Sequence, residues 1–476
     1  MTPALAAILI YMLAQFAIGV WASRRIRTEA DYLVAGRSLG YGLATFSIFA
    51  TWFGAETIIG SAGTTYREGV SLASAEPFGY GLCLVLMGVV FAAPLWRRKL
   101  TTLADLFRQR YSTGVERFAA VILIPSSVLW AAAQIRAFGQ VLSSASTLDV
   151  QLAITTAAGF VVLYTMVGGL LADAITDVIQ GAMLAVGLIV VAIAVVAHLG
   201  GPSAAMAAIA ASDSIHIAGE RGASIMETLE AWAIPVCGSV IAAELVARVI
   251  AARSPGVARR SAVMGGGLYL SLGVIPVFIA LVGASLVPSL ADAEQLIPTV
   301  ARQLLPTVLY ALFAGGLISA ILSTVDSTLL VSSGLLSHNL LVPALGISDE
   351  RLKVRLARAG VVTLGLVAYV LALHAEGVFA LVEQASALGS AGVLVTVCFG
   401  LFTTLGGPRT AIATLAAGMA VYLWGSFTGA AYPFLASLIA ALATYLGGIA
   451  LERVAMRASL AQRTPQSTRR GEEAFD

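Results

Sequence analysis

Apolar runs of roughly 18 residues or more recur along the whole of this chain, and nothing else about it constrains the fold as strongly. In hydrocarbon every backbone N–H and C=O must find a partner within the protein, so such runs cross a bilayer as helices. Of the 476 residues, 59% are hydrophobic and 11% charged, with a mean hydropathy of +0.91. Soluble domains carry about 25% charged residues. The reading is an all-α polytopic membrane protein with about 13 transmembrane helices. They fall roughly at 2–22, 41–66, 72–96, 115–141, 150–171, 175–199, 226–249, 261–288, 305–341, 354–374, 378–403, 409–428 and 431–452.

Lysine and arginine placement orients the spans, because cytoplasmic loops carry the positive excess. Arg24, Arg25, Arg27 and Arg37 follow the first span, and Arg97, Arg98, Lys99, Arg108 and Arg110 the third. Arg248, Arg253, Arg259 and Arg260 follow the seventh, and Arg351, Lys353, Arg355 and Arg358 the ninth. The tail adds Arg453, Arg457, Arg463, Arg469 and Arg470, whereas the opposite loops hold Arg67, Arg221 and Arg302. This asymmetry puts the N-terminus outside and the C-terminus in the cytoplasm, in a cell inner (cytoplasmic) membrane. The run from Pro3 to Ala22 has no basic stretch before it and reads as a retained helix. The polar tail, 454–476, reads as disordered. Cys83, Cys237 and Cys398 all lie in apolar runs and fit neither a disulfide framework nor a zinc pattern.

Two spans do not read as continuous helices. The second contains ATWFGAETIIGSAG, with Gly54 and Gly60, and the seventh contains AWAIPVCGSV, with Pro235 and Gly238. Such residues weaken the hydrogen-bond ladder and free carbonyls to face a cavity. Each interrupted span opens a set of five, two to six and seven to eleven. An odd-numbered set reverses the topology of its copy, and paired interruptions of this kind point to a transporter's midplane site.

The stretch AILSTVDSTLL, Ala320 to Leu330, places Ala320, Ser323, Thr324 and Ser327 on one helix face. Hydroxyls in a membrane helix commonly bond their own i−4 carbonyl. Asp326 is different, since a carboxylate at membrane depth needs a partner and marks an ion or substrate path. Hydroxyls together with freed carbonyls form the hard oxygen set that a dehydrated alkali cation requires. Sodium fits it, and a proton taken up by Asp326 would use similar parts. In YTMVGGLLADAITDVIQ, Tyr164 to Gln180, Asp173 reads as a helix N-cap and Asp177, one turn deeper, as part of an ion path. Glu244 and Arg248 have the spacing of an i,i+4 pair, and Glu76 reads as solvated. No histidine has a companion at metal-ligand spacing, and no GxxxxGK loop supports ATP-driven transport.

ADYLVAGRSLG (30–40), GGLLADAITDVIQ (168–180) and AILSTVDSTLLVSSGLLSHNL (320–340) resemble the sodium/solute symporter family. The resemblance implies a LeuT-like five-plus-five inverted-repeat core with broken first core helices, working by alternating access. The core covers 41–405, with repeats at about 41–199 and 226–403. Around it lie an extra N-terminal helix and loop at 1–40, two C-terminal helices at 406–453, and the tail. It implies a sodium site of the Ala50 and Phe53 carbonyls, the Ala320 carbonyl, and the Ser323 and Thr324 hydroxyls. It also implies a possible second cation site at Asp177, Ser323, Asp326 and Ser327. Within the family, ATWFGAE, EPFGY and VLWAAAQIRAFG are similar to high-affinity choline transporters. Trp52, Tyr80 and Trp130 match three positions of the aromatic cage there, while Ala242 or Val236 stands at the fourth. A cage of this kind binds a desolvated cation, although the same aromatics also serve as core packing.

Glu56 and Arg136 depart from the family pattern. Either they pair with each other, or Arg136 meets a substrate carboxylate while Glu56 meets an amine. The function implied is a secondary active, sodium-coupled symporter, not an enzyme. It would import a small organic solute (amine, zwitterion or amino-acid-like), with sodium as the co-transported ion. The rival is a symporter-like sensor that binds solute and signals through a partner kinase. The partners expected are the solute and the lipid bilayer, with no nucleic acid and no obligatory protein partner.

Overall fold

The computed structural model describes residues 13–463 apart from 15, 147, 212–213, 217–222, 291 and 376. Residues 2–12 of the first expected span lie outside the described residues, as do Arg221, Arg469 and Arg470. The chain is helical almost throughout. α1 (Tyr41–Trp52) ends in a break, followed by a π-helical turn, Glu56–Gly60, and α2 (Ser61–Glu68), the two arms bent by 46°. Then come α3 (Phe78–Arg97), α4 (Thr113–Ala145) and α5 (Val150–His198). The second set opens with α6 (Ile225–Ala233), a π-turn at Ile234–Gly238 and α7 (Ala243–Ala251). It continues with α8 (Pro255–Leu281), α9 (Thr307–Gly334), α10 (Glu350–His374), α11 (Val378–Ala387) and α12 (Ser390–Phe402). α13 (Pro408–Thr428) and α14 (Pro433–Arg463) follow.

Among the described residues ten helices are long and apolar enough to cross a membrane, and the bent pair α1–α2 makes an eleventh. Two things separate this from the thirteen expected. The first span is mostly undescribed, and α5 runs as one element where two spans are expected. α5 is nevertheless two arms, because Gly169 sits at φ 65°, ψ 177°. A Cβ there would also fall 2.8 Å from the Tyr32 ring, so only glycine fits. The third span begins at Phe78 rather than near residue 72, which leaves Glu76 ahead of it. α14 runs on to Arg463, past the expected end at 452.

Both interruptions are present. In the first, Phe53 leaves helical geometry at φ −92°, ψ 66°. In the second, Ala242 is extended (φ −59°, ψ 139°) between the π-turn and α7. α9 is the centre of the bundle, buried on all sides from Phe313 to Gly334 and packed against α4, α5 and α1. A helix buried all round directs its polar side chains at protein, not lipid. The outer helices show the opposite pattern, with Ile189, Ile193, Ile439 and Leu446 exposed as a lipid-facing surface requires.

The arginine-rich loops meet at one end of the bundle. Arg37 donates to the Leu100 carbonyl at 2.7 Å, the Trp96 indole to the Ala252 carbonyl at 2.6 Å, and the Glu29 amide to Glu350 at 2.9 Å. His338 joins Glu29 at 2.8 Å and Asp105 at 3.3 Å there. Loops of the opposite end meet through Tyr66 on the Val287 carbonyl and Trp232 on the Leu72 carbonyl.

Candidate functional site

The break after Trp52 rests directly on α9. Thr324 Oγ1 donates to the Thr51 carbonyl at 3.0 Å and to its own i−4 carbonyl, Ala320, at 3.3 Å. Gly54 makes the approach possible. A Cβ on it would stand 2.7 Å from Glu56 Oε2 and 2.9 Å from Thr324 Oγ1, closer than carbon tolerates. Beside it, Ser323 donates to Asp177 Oδ1, and Ser47 donates to Asp177 Oδ2 at 2.5 Å. The chain thus brings the Ala320–Thr324 face of α9, the interrupted end of α1 carrying Ala50 and Phe53, and Asp177 of α5 into one buried oxygen-rich group. Ser47 and Thr51 also belong to it. Their i,i+4 spacing on α1 was the signal for them.

Toward the basic end the sequence expectations need correction. Asp173 is not a helix cap; it is buried and ion-paired with Arg248. Arg248 does not pair with Glu244. Its guanidinium also reaches Ser327 Oγ and, through Nε, Thr51 Oγ1 at 3.2 Å. Glu244 instead accepts from Ser127. The four residues of the possible second cation site therefore divide among three sets of partners. Ser323 joins Asp177, Ser327 joins Asp173 (3.1 Å) and Arg248, and Asp326 accepts from Thr165.

On the other side of the break the three aromatics gather. The Trp52 and Trp130 rings lie 5.4 Å apart, and Tyr80 lies 6.1 Å from Trp130. Tyr80 shares a hydrogen bond with Ser386 at 2.8 Å, and Ser239, in the second break, donates to Ser386 at 3.1 Å. Neither indole N–H has a hydrogen-bond partner among the described residues. Ala242 lines a small cavity of about 20 Å³ beside Trp130, Ser386 and Glu244.

Glu56 is 1% exposed and accepts from Gln134 Nε2 at 2.8 Å and from the Gly54 amide at 3.1 Å. Of the two alternatives for Glu56 and Arg136, their mutual pairing is not made, for a geometric reason. Gln134 is one turn beyond Trp130, on the face of α4 turned to the break. Arg136 is on another face and donates to the Ala372 carbonyl at the end of α10 at 3.3 Å.

A larger cavity, about 340 Å³, reaches Tyr80 from the end opposite the arginine-rich loops. Glu68, Glu76 and Glu383 line it together with Ser61, Thr64 and Thr65. Glu76 is not solvated as expected: its Oε1 accepts from Thr57 and Tyr269, each at 2.9 Å.

The comparisons with known proteins point the same way. The family model described as sodium:solute symporter family matches residues 32–418. The human high affinity choline transporter 1 is 27% identical over 71% of this chain, and the chain spans 61% of that protein's length. The sodium/pantothenate symporter of Haemophilus influenzae is 26% identical, over 71% of this chain and 72% of its own. Among solved structures, a Na+-coupled sialic acid symporter in a substrate-bound outward-open state superposes with a TM-score of 0.83 at 17% identity. That match covers 95% of this chain and 98% of the other. With two interrupted helices meeting a buried polar face of α9 inside this LeuT-like fold, and a family model spanning most of its length, the chain belongs to the sodium:solute symporter family.

Proposed function

We propose that this protein is a secondary active symporter in which sodium moving down its gradient drives import of a small organic solute bearing a positively charged amine. Family membership carries sodium as the coupling ion. One observation supports the site above all: the Thr324 hydroxyl bonds the Thr51 carbonyl at the interrupted end of α1, with Ser323 and Asp177 alongside. That is where a dehydrated cation would find Ala50, Phe53, Ala320, Ser323 and Thr324 together. Residues 41–199 and 226–403 serve as the two repeats, each opened by a broken span. The arginine-rich end faces the cytoplasm, which leaves the 340 Å³ cavity open to the outside.

Charge favours an amine over a carboxylate-bearing solute. Glu244 lines the small cavity beside Trp130, and Glu56 bonds Gln134 one turn beyond Trp130, while among the described residues no lysine or arginine lines either cavity. Trp52, Tyr80 and Trp130 supply the faces that stabilise a desolvated cation. Driving force is ample, since each charge crossing 100 mV contributes about 2.3 kcal/mol.

Uptake of a radiolabelled amine such as choline or dimethylethanolamine into proteoliposomes tests this. Accumulation that requires an inward sodium gradient is the expected result. Binding without accumulation under any gradient would assign the protein to solute sensing instead.

A further inference from the structure

The cavity above the aromatic group has a chemistry of its own. Among the described residues its wall carries three carboxylates, Glu68, Glu76 and Glu383, and several hydroxyls, with one histidine, His216, and no lysine or arginine. At about 340 Å³ it is large enough for a small organic ion. Glu76 is the unusual member. Oε1 is saturated by the Thr57 and Tyr269 hydroxyls, whereas Oε2 is shielded from solvent and accepts no hydrogen bond from the described residues. A buried acceptor left without a donor is costly, and nearly all such groups in proteins are satisfied. Among the described residues no basic side chain bonds Glu76, which leaves Oε2 open to a donor that enters through the cavity.

We propose that this cavity is an entry subsite for an organic ammonium ion carrying at least one N–H, which Glu76 Oε2 receives before the solute moves to the aromatic group. A protonated primary, secondary or tertiary amine supplies both the charge and the donor. A quaternary ammonium supplies only the charge and leaves Oε2 unsatisfied. Glu68 and Glu383 add to the negative potential of the vestibule and concentrate cations there. Tyr80 lines the cavity and also lies against Trp130, so it connects the entry subsite to the deeper one. The subsite rests on reading the solute as an amine, and it selects among amines by their N–H.

Two probes differ in that feature alone: dimethylethanolamine carries one N–H, and choline has a methyl group in its place. Equilibrium binding to the purified full-length protein in sodium-containing detergent compares them at pH 8.5, where the Glu76 carboxyl is ionised and dimethylethanolamine still carries its proton. To keep the aromatic site from masking the result, the comparison is repeated in Trp130→Ala. In that protein dimethylethanolamine is expected to bind at least about tenfold tighter than choline, the difference made by one charge-assisted hydrogen bond. Adding Glu76→Gln should abolish the preference. Where Glu76→Gln does not give folded protein, Glu76→Asp, which withdraws the carboxylate by one methylene, should reduce it several-fold. Equal binding of the two probes in Trp130→Ala, or a preference that survives both changes at Glu76, overturns the subsite. The transport reading fails separately: an intact preference with no sodium-driven uptake sinks that reading and leaves the subsite standing.

Discussion

Arg248 and Asp173 form an ion pair with no access to solvent, the guanidinium side chain 0% and the carboxylate side chain 3% exposed. The pair ties α7, just past the second break, to the start of the second arm of α5, and through Ser327 and Thr51 to α9 and α1. Four core elements thus converge on one guanidinium below the proposed sodium position. Removing one partner of a buried pair strands the other charge, at a cost of about 3–5 kcal/mol. Arg248→Gln and Asp173→Asn should each lower the melting temperature of the purified protein markedly. The double variant strands nothing and should recover much of the loss. Additive losses would show that the two residues act independently.

The hydroxyls of α9 give a second prediction. Ser323→Ala and Thr324→Ala each delete one hard oxygen at a place where lipid offers no substitute. Each should raise the sodium concentration for half-maximal uptake by roughly tenfold while expression stays close to wild type, since an alanine fits either space. Gly54→Ala should do the same from the other side of the contact. Its Cβ would stand 2.9 Å from Thr324 Oγ1 and force α1 and α9 apart. Sodium half-saturation unchanged in all three would remove this contact from the ion site.

Asp326 yields a third. Among the described residues its hydrogen-bond partner is the Thr165 hydroxyl, and Arg248 bonds Asp173 and Ser327 instead. A buried carboxylate held by a hydroxyl alone calls for a proton or a second cation. Asp326→Asn should therefore lower the Hill coefficient for sodium in uptake assays or flatten the pH dependence of transport. Retention of both would make the carboxylate structural.

The parts of this architecture that were legible in the sequence are those whose cause is local. Gly54, Pro235 and Gly238 weaken helix ladders wherever they stand, so both interruptions could be read directly. Trp52, Tyr80 and Trp130 could be placed together because family motifs fix their spacing. Asp173 was misread because capping is the strongest local role for an aspartate at a helix start, while its partner Arg248 is 75 residues away in sequence. Direct pairing of Glu56 with Arg136, one of the two alternatives, is ruled out by helix phase. The break sets which face of α4 it meets, and that face holds Trp130 and Gln134. Glu76 reads as solvated in the sequence because nothing in EPFGY announces that Thr57 and Tyr269 close over it.

Glu76 supplies the last prediction, a pH dependence whose sign is fixed. The residue precedes the span that begins at Phe78, and burial, reinforced by the nearby Glu56 carboxylate, pushes its carboxyl up to about 8. Thr57 and Tyr269 hold Oε1 and oppose the shift, Tyr80 packs alongside, and Glu68 and Glu383 line the same cavity. Below about pH 8 the neutral acid prevails, so an ammonium ion binds at Glu76 only by displacing a proton. Dimethylethanolamine stays protonated through pH 8, so its own titration does not interfere. Its affinity should rise by up to about tenfold per unit from pH 6 to pH 8 and then level off. Choline binding should change much less over the same range. In Glu76→Gln the dimethylethanolamine profile should be flat. A slope that persists in that variant would assign the proton to another group, with Glu56, whose charge reinforces the shift, as the next to replace.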